Sequence, residues 1–169
     1  IDGRMLKAAP ELPHPAAKLS IGLGPGFSAG ENCHAVIETK RGPFLGRVIW
    51  SGSAEPDSGL PEKVANYSGE RVLRAEADGV FISAASIGTH VDAGEVIGWI
   101  GTSAVHAPFS GVIRGLVHDG LPVSRKLKIG DVDPRDDPLI SRLVSDKSLA
   151  VGGAVLEAIL SFGPLREYW

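Results

Sequence analysis

The sequence predicts a mainly β protein whose centre is one half-sized β motif written twice. Three observations predict it. Arg74–Ile100, moved forward 32 positions, lies on His106–Val132 without a gap and with seven identities: Ala75/Ala107, Gly79/Gly111, Val80/Val112, Gly88/Gly120, Val91/Val123, Ile97/Ile129 and Gly98/Gly130. Twenty-two glycines and twelve prolines in 169 residues supply turns for many short strands rather than long helices. Apolar residues alternate with polar ones in short runs, the period of a strand. A half-motif with one apolar face cannot bury it alone, and two copies related by a pseudo-dyad can.

Residues 1–18 read as an extended connector, because Pro10, Pro13 and Pro15 block a continuous helix. Residues 19–69 read as a β-hairpin segment. Ile21–Leu23 is a short strand ending in Gly22-Leu23-Gly24-Pro25-Gly26, a sharp loop. Ala35, Ile37 and Thr39 alternate with His34, Val36 and Glu38, predicting a strand with two unlike faces. Arg41-Gly42-Pro43 turns the chain into a returning strand over 46–50, and 51–70 reads as a loop. Residues 70–134 hold the duplicated unit, each copy reading strand, tight turn, strand, turn, short strand.

Residues 135–169 form a linker and a C-terminal helix. Ser145 or Ser148 is placed to cap a helix running to about Phe162, and Gly163-Pro164 ends it. Val151, Val155 and Ile159 share one face, and Leu156 and Leu160 add a second. Glu157 is almost the only charge there, which predicts a helix buried against the duplicated unit. Gly152-Gly153 weakens the helix intrinsically by roughly 1–2 kcal/mol, so close packing is the expected reason for the pair.

The bulk numbers narrow the classes of partner. A net charge of −3 and a pI near 5.9 argue against nucleic acid or an anionic membrane, either of which favours a basic face. Arg125-Lys126-Leu127-Lys128 is too short a basic cluster to alter that and reads as a solvated turn. No apolar run reaches the roughly 18 residues of a membrane span. One cysteine, Cys33, forms no internal disulfide, which fits a reducing, cytoplasmic compartment.

The candidate cofactor-binding residues are Gly22, Gly24, Gly26, Ser28, Cys33, His34 and Glu38. The glycine loop reads either as a structural turn or as backbone N–H groups presented to an anion such as a phosphate. Gly26-Phe27-Ser28-Ala29-Gly30 matches a nucleophile-elbow pattern. An elbow needs a strand before and a helix after; here Pro25 precedes and a strand-like segment follows, so no catalytic residue is assigned. Cys33 beside His34 reads as a thiol–imidazole pair for metal, sulfur or selenium, or as a buried small thiol next to a polar strand face. Adjacent strand residues point to opposite faces, and His34 with Glu38 alone is too thin for a structural metal. Asp131, Asp133, Asp136 and Asp137 fit no EF-hand spacing and read as a solvated turn braced by Arg135. No metal site is predicted, and His106 is expected to pack at a strand start.

The twofold repeat resembles the biotinyl/lipoyl-like domains, or barrel-sandwich hybrids. Those carriers hold their modified lysine at the hairpin tip, where this chain has Gly101-Thr102-Ser103-Ala104-Val105. With no amine there, neither biotin nor lipoate is expected. The stretch Val105–Gly111 also faintly resembles the glucose-type IIA phosphocarriers, but no histidine here has their His-Ile-Gly-Ile-Asp context.

A longer resemblance rests on Ile21–Gly30, His34–Thr39, Leu45–Ile49, Gly52–Pro56, Arg71–Ala75, Lys128–Arg135, Ser145–Lys147 and Gly152–Ala158. In that order these blocks are similar to the YqeB-like family, bacterial accessory proteins of selenium-dependent molybdenum-hydroxylase systems related to xanthine dehydrogenase. The resemblance implies an accessory or maturation protein that binds a cofactor or partner rather than catalysing. The implied partner is a molybdenum hydroxylase subunit or its maturation machinery, with a molybdenum–pterin cofactor reached through that partner. An oligomer is left open. Two departures stand out. The family usually has a histidine after Arg-Gly, where Arg41-Gly42 is followed by Pro43. It also carries an N-terminal nucleotide-binding-like half, and Ile1–Met5 resembles the end of that half's last strand. Two alternatives stay open: an enzyme whose active site forms with that absent half, and a purely architectural domain.

Overall fold

The computed structural model describes residues 1–5, 8–11, 16–57, 67 and 69–168. Pro13 and Pro15 of the expected connector, and much of the expected loop over 51–70, lie outside the described residues. The chain divides into two units, residues 1–58 with 144–169 and residues 59–143. It is mainly β, with one C-terminal α-helix.

In the first unit, β1 (Ile21–Leu23) pairs in parallel with β3 (Ala35–Ile37), which pairs antiparallel with β4 (Val48–Ile49). The β3–β4 hairpin is the one expected from the turn at Arg41-Gly42-Pro43. A small ribbon joins β2 (Ser28–Ala29) to β5 (Gly52–Ser53). The central strand departs from expectation. Ala35, Val36, Ile37, Glu38 and Thr39 are all buried, so both faces are covered rather than one being polar. Ala35 and Ile37 pack with Ile21 against helix α1 (Asp146–Ser161), while Val36 packs with Phe27, Ala29, Cys33 and Ala54. A strand flanked on both edges and covered on both faces carries an unbroken apolar run.

Helix α1 starts at Ser145, whose Oγ accepts the Ser148 N–H at 3.1 Å, a cap worth about 1 kcal/mol. Arg41 pairs with Asp146 in its first turn. Two expectations for this helix are corrected. It is expected on the duplicated unit but belongs to the first, where it packs through Ala154, Ala158, Val151, Val155 and Ile159 onto Ile21, Ala35 and Ile37. The slender alanines let the helix approach the sheet, and that contact buries the valine face. Close packing does not explain Gly152-Gly153 either, because a Cβ on each would meet open space.

The second unit holds β6 (Val72–Arg74), β7 (Gly79–Ser83), β8 (His90–Val91), β9 (Val96–Ile100), β10 (Ser103–His106), β11 (Gly111–Leu116), β12 (Pro122–Val123) and β13 (Lys128–Asp133). They form two four-stranded sheets, β10-β9-β7-β12 and β6-β13-β11-β8, and no closed barrel among the described residues. Moving each strand of the first half by 32 residues, and each of the second half back by 32, turns one sheet order into the other. Registers follow: Val80↔Pro122 and Gly79↔Val123 in one sheet match Val112↔His90 and Gly111↔Val91 in the other. The turn glycines follow too, with Gly88 at φ +90° and Gly120 at φ +78°, where side chains with a Cβ are strained.

The core shared by these sheets is drawn from matching positions of both copies: Leu73 with Val105, Phe81 with Ile113, Val91 with Val123, Ile97 with Ile129, and Ile100 with Val132. The copies differ outside. Val112 is 1% exposed and Val80 44%, since β11 is packed by the 3-10 turn Pro138–Ser141. The four aspartates do not share a site. Asp131 binds Arg71, Asp133 binds Arg135, Asp136 binds His90, and Asp137 caps the 3-10 turn through the Leu139 N–H. Asp133 is buried, so that bracing is less solvated than expected; its carboxyl lies below the usual range because the Arg135 guanidinium donates to it. His106 sits at the end of β10 rather than at a strand start, and it is exposed.

Candidate functional site

The seven candidate residues all lie in the first unit, where the parallel β1–β3 pair brings distant stretches together. Gly22, Ser28 and Cys33 meet at one point. The Cys33 thiol is buried close to the Gly22 and Ser28 backbone, and burial pushes its pKa up. A neutral, enclosed thiol is a weak nucleophile and a poor ligand.

The loop glycines are shaped by neighbours. A Cβ at Gly22 would collide with the Phe27 ring, one at Gly24 with Thr39 Oγ1, and one at Gly26 with the Ala8 carbonyl. Gly24 also has φ +77° and donates its N–H to the Ile37 carbonyl at 2.9 Å. Asn32, which sequence reasoning passed over, ties the loop. Its Oδ1 accepts the Ser28 N–H at 2.8 Å, and its Nδ2 donates to the Gly26 carbonyl at 3.3 Å. Asn four residues after a strand residue in a glycine-rich turn is the signal that would have found it. Ser28 lies on β2, followed by the Gly30 turn, with no helix after it.

His34 and Glu38 are held in separate surroundings. Nδ1 of His34 accepts the Ser20 N–H at 3.1 Å, which places the neutral ring's proton on Nε2. Its ring stands edge-on to Phe162 at 5.6 Å, and Phe162 stacks on Trp50 at 6.0 Å. The buried Glu38 carboxylate accepts the Lys40 N–H on one oxygen and the Glu55 N–H on the other, each at 2.7 Å. It pins the turn after β3 to the segment after β5. No cluster of three or more potential metal ligands occurs among the described residues.

Beside this segment lies a cavity of about 520 Å³, lined by Asp2, Arg4, Glu11, Ser20, Phe27 and Asn32 among others. Arg4 bridges Asp2 and Glu11 along its wall, at 2.8 and 3.1 Å, and holds the Asp2 carboxyl below its usual range. The lining is mostly apolar, with polar and charged side chains from Asp2, Arg4, Glu11, Ser20 and Asn32. A mostly apolar cavity of this volume with a few polar groups suits a small ligand.

These features define a mainly β chain with one C-terminal helix and a glycine-loop segment, in which no helix among the described residues is long and apolar enough to cross a membrane. Over 144 residues, 85% of its length, it is 49% identical to the uncharacterised protein YqeB of Escherichia coli (strain K12), which supports the resemblance to the YqeB-like family. The chain spans 27% of the length of that bacterial relative. No family model matches. Among solved structures, a succinylglutamate desuccinylase/aspartoacylase from Rhodobacter sphaeroides aligns at 20% identity and a TM-score of 0.36, over 39% of this chain and 22% of that one. An aspartoacylase family protein from Mesorhizobium loti aligns at 14% identity and the same TM-score, over 47% and 25%. Likenesses this slight carry no functional argument.

Proposed function

We propose that the chain is the binding portion of a bacterial accessory protein for a molybdenum hydroxylase of the xanthine-dehydrogenase class, handling a cofactor or partner rather than catalysing. The observation that carries this reading is the state of two candidate side chains, Cys33 in the cavity lining and Glu38 further along the chain. Cys33 is enclosed, with its pKa raised by burial, and Glu38 is consumed by two backbone donors. Groups tied this way hold the backbone in place; they do not move protons or attack a substrate. In the same reading, residues 70–134 are a barrel-sandwich hybrid without a carrier lysine. The exchange of the two sheets under the 32-residue shift supports it, as does the stretch Gly101–Val105, which has no amine to acylate.

The test is retention of the partner. Immobilised chain is expected to hold a xanthine-dehydrogenase-class hydroxylase, or the oxidised pterin of its cofactor. Ala17→Trp, which fills the cavity from its exposed edge, is expected to release it. If wild type retains neither, or if Ala17→Trp retains both, the reading fails.

A further inference from the structure

We propose that helix α1 is a self-association surface, on which a second copy of this chain packs its own α1 antiparallel. The helix has two apolar faces and the first unit covers only one. Ala154 and Ala158 are buried on the sheet, while Leu149, Leu156 and Leu160 are 64, 56 and 51% exposed on the opposite side. With Gly153 these leucines recur at spacings of four, three and four, the seam of a two-helix coiled coil. Exposed leucines scattered singly mean nothing; three on one seam with no charge among them form a patch.

The occupant follows from the order of large and small residues. Pair the seam with itself antiparallel, about a dyad midway between residues 154 and 155. Leu149 then faces Leu160 of the other copy at each end, and Leu156 faces Gly153 in the middle, twice. Gly153 and its neighbour Gly152 leave open space where a Cβ would stand, so each Leu156 has a hollow to enter. This accounts for a glycine pair that packing within the chain does not explain. Of the acidic residues bordering the seam, Glu157 falls opposite Gly152, and Asp146, paired with Arg41, falls opposite residue 163 beyond the other copy's helix, so like charges do not meet. The patch is complementary to itself, which a twofold interface requires.

One 16-residue helix seam buries less than the roughly 800 Å² per partner of a standard interface, so a reversible, concentration-dependent dimer is expected. Sedimentation of the chain across about a hundredfold range of concentration should move from monomer to dimer. Leu156→Glu and Gly153→Leu, both at exposed positions, should each weaken association at least tenfold while leaving the circular dichroism spectrum unchanged. The double variant Leu149→Cys with Leu160→Cys should give covalent dimers on mild oxidation. Leu149→Cys alone should not, because the two copies of residue 149 stand about 16 Å apart along the pair. A strictly monomeric chain overturns the proposal. So does a dimer that Leu156→Glu leaves intact, or one cross-linked efficiently by Leu149→Cys alone, which means a parallel or different contact.

Discussion

Phe81 and Ile113, 32 positions apart, occupy the same place in the two halves of the second unit. Each is fully buried, the Phe81 N–H donates to the Leu121 carbonyl, and the Ile113 N–H donates to the Thr89 carbonyl, both at 3.0 Å. The acceptors are themselves 32 positions apart and exchanged between copies. Each half therefore completes the other's strand ladder as well as its core, and neither is expected to fold alone.

Truncating this pair tests that dependence. Phe81→Ala leaves a large void in a packed core and is expected to cost about 3–5 kcal/mol, whereas Ile113→Val removes one methyl and costs about 0.5–1.5 kcal/mol. Urea denaturation followed by tryptophan fluorescence measures both. Near-equal costs would mean that Phe81 is less tightly enclosed than its burial indicates.

Glu38 offers a second test, because its carboxylate holds two backbone N–H groups at once. Glu38→Gln keeps one acceptor oxygen and turns an amide toward the other donor. The expected loss is about 1.5–3 kcal/mol, the range for hydrogen bonds to a charged group. Amide exchange at Lys40 and Glu55 should accelerate with it. Unchanged stability would return Glu38 to the ligand-binding candidates.

Gly24 is constrained by both its backbone and its neighbour. Gly24→Ala should cost about 1–3 kcal/mol in strain, from φ +77° and the collision with Thr39. Adding Thr39→Ala removes the collision but not the φ, so the double variant should recover part of the loss. Thermal unfolding of the two variants separates the two terms.

His90 should titrate above an ordinary histidine. Its Nδ1 lies 2.6 Å from Asp136, and Asp92 lies 3.5 Å from Nε2. The Asp136 hydrogen bond is the largest cause of its raised pKa. A raised folded-state pKa adds stability that is complete below the unfolded value near 6.5 and is lost as pH rises through the folded value. Because the ring is exposed, the gain is screened and small. Proton NMR should show the His90 midpoint falling toward the ordinary value in Asp136→Asn. An unmoved midpoint would rule out the pairing as its cause.

Legibility in the sequence followed the locality of each feature. The duplication could be read because turn glycines and β-branched core positions are fixed by backbone geometry, and geometry repeats with the fold. The β3–β4 hairpin and the Ser145 cap were readable for the same reason: both are made within a few residues. The second burying face of β3 was not, because Val36 meets Phe27 and Ala54 only after the chain has closed on itself. The partner of α1 was missed likewise. Its apolar positions announce that something covers them, while nothing in their spacing says whether a sheet of the first or the second unit does so. Glu38 reads as part of a polar strand face and as a binding candidate, since backbone donors leave no trace in a sequence.

The repeat also predicts where the chain is strained. Lys126 adopts φ +72°, and its counterpart 32 positions earlier, Gly94, adopts φ +81°. Both make the same bond: the Lys126 N–H donates to the Ala75 carbonyl at 2.7 Å, and the Gly94 N–H to the Ala107 carbonyl at 2.8 Å. The turn thus demands left-handed backbone in each copy, and only the first copy supplies the residue that adopts it without steric cost. For a side chain bearing a Cβ that conformation costs roughly 1–2 kcal/mol, partly offset because glycine loses more chain entropy on folding. Lys126→Gly should therefore stabilise the chain by up to about 1 kcal/mol, and Gly94→Lys should destabilise it by a similar amount. Exchanging both residues should come out near neutral, because the two turns are equivalent. Melting curves of the three variants decide it: a destabilised Lys126→Gly would mean that the lysine side chain contributes packing that outweighs its backbone strain.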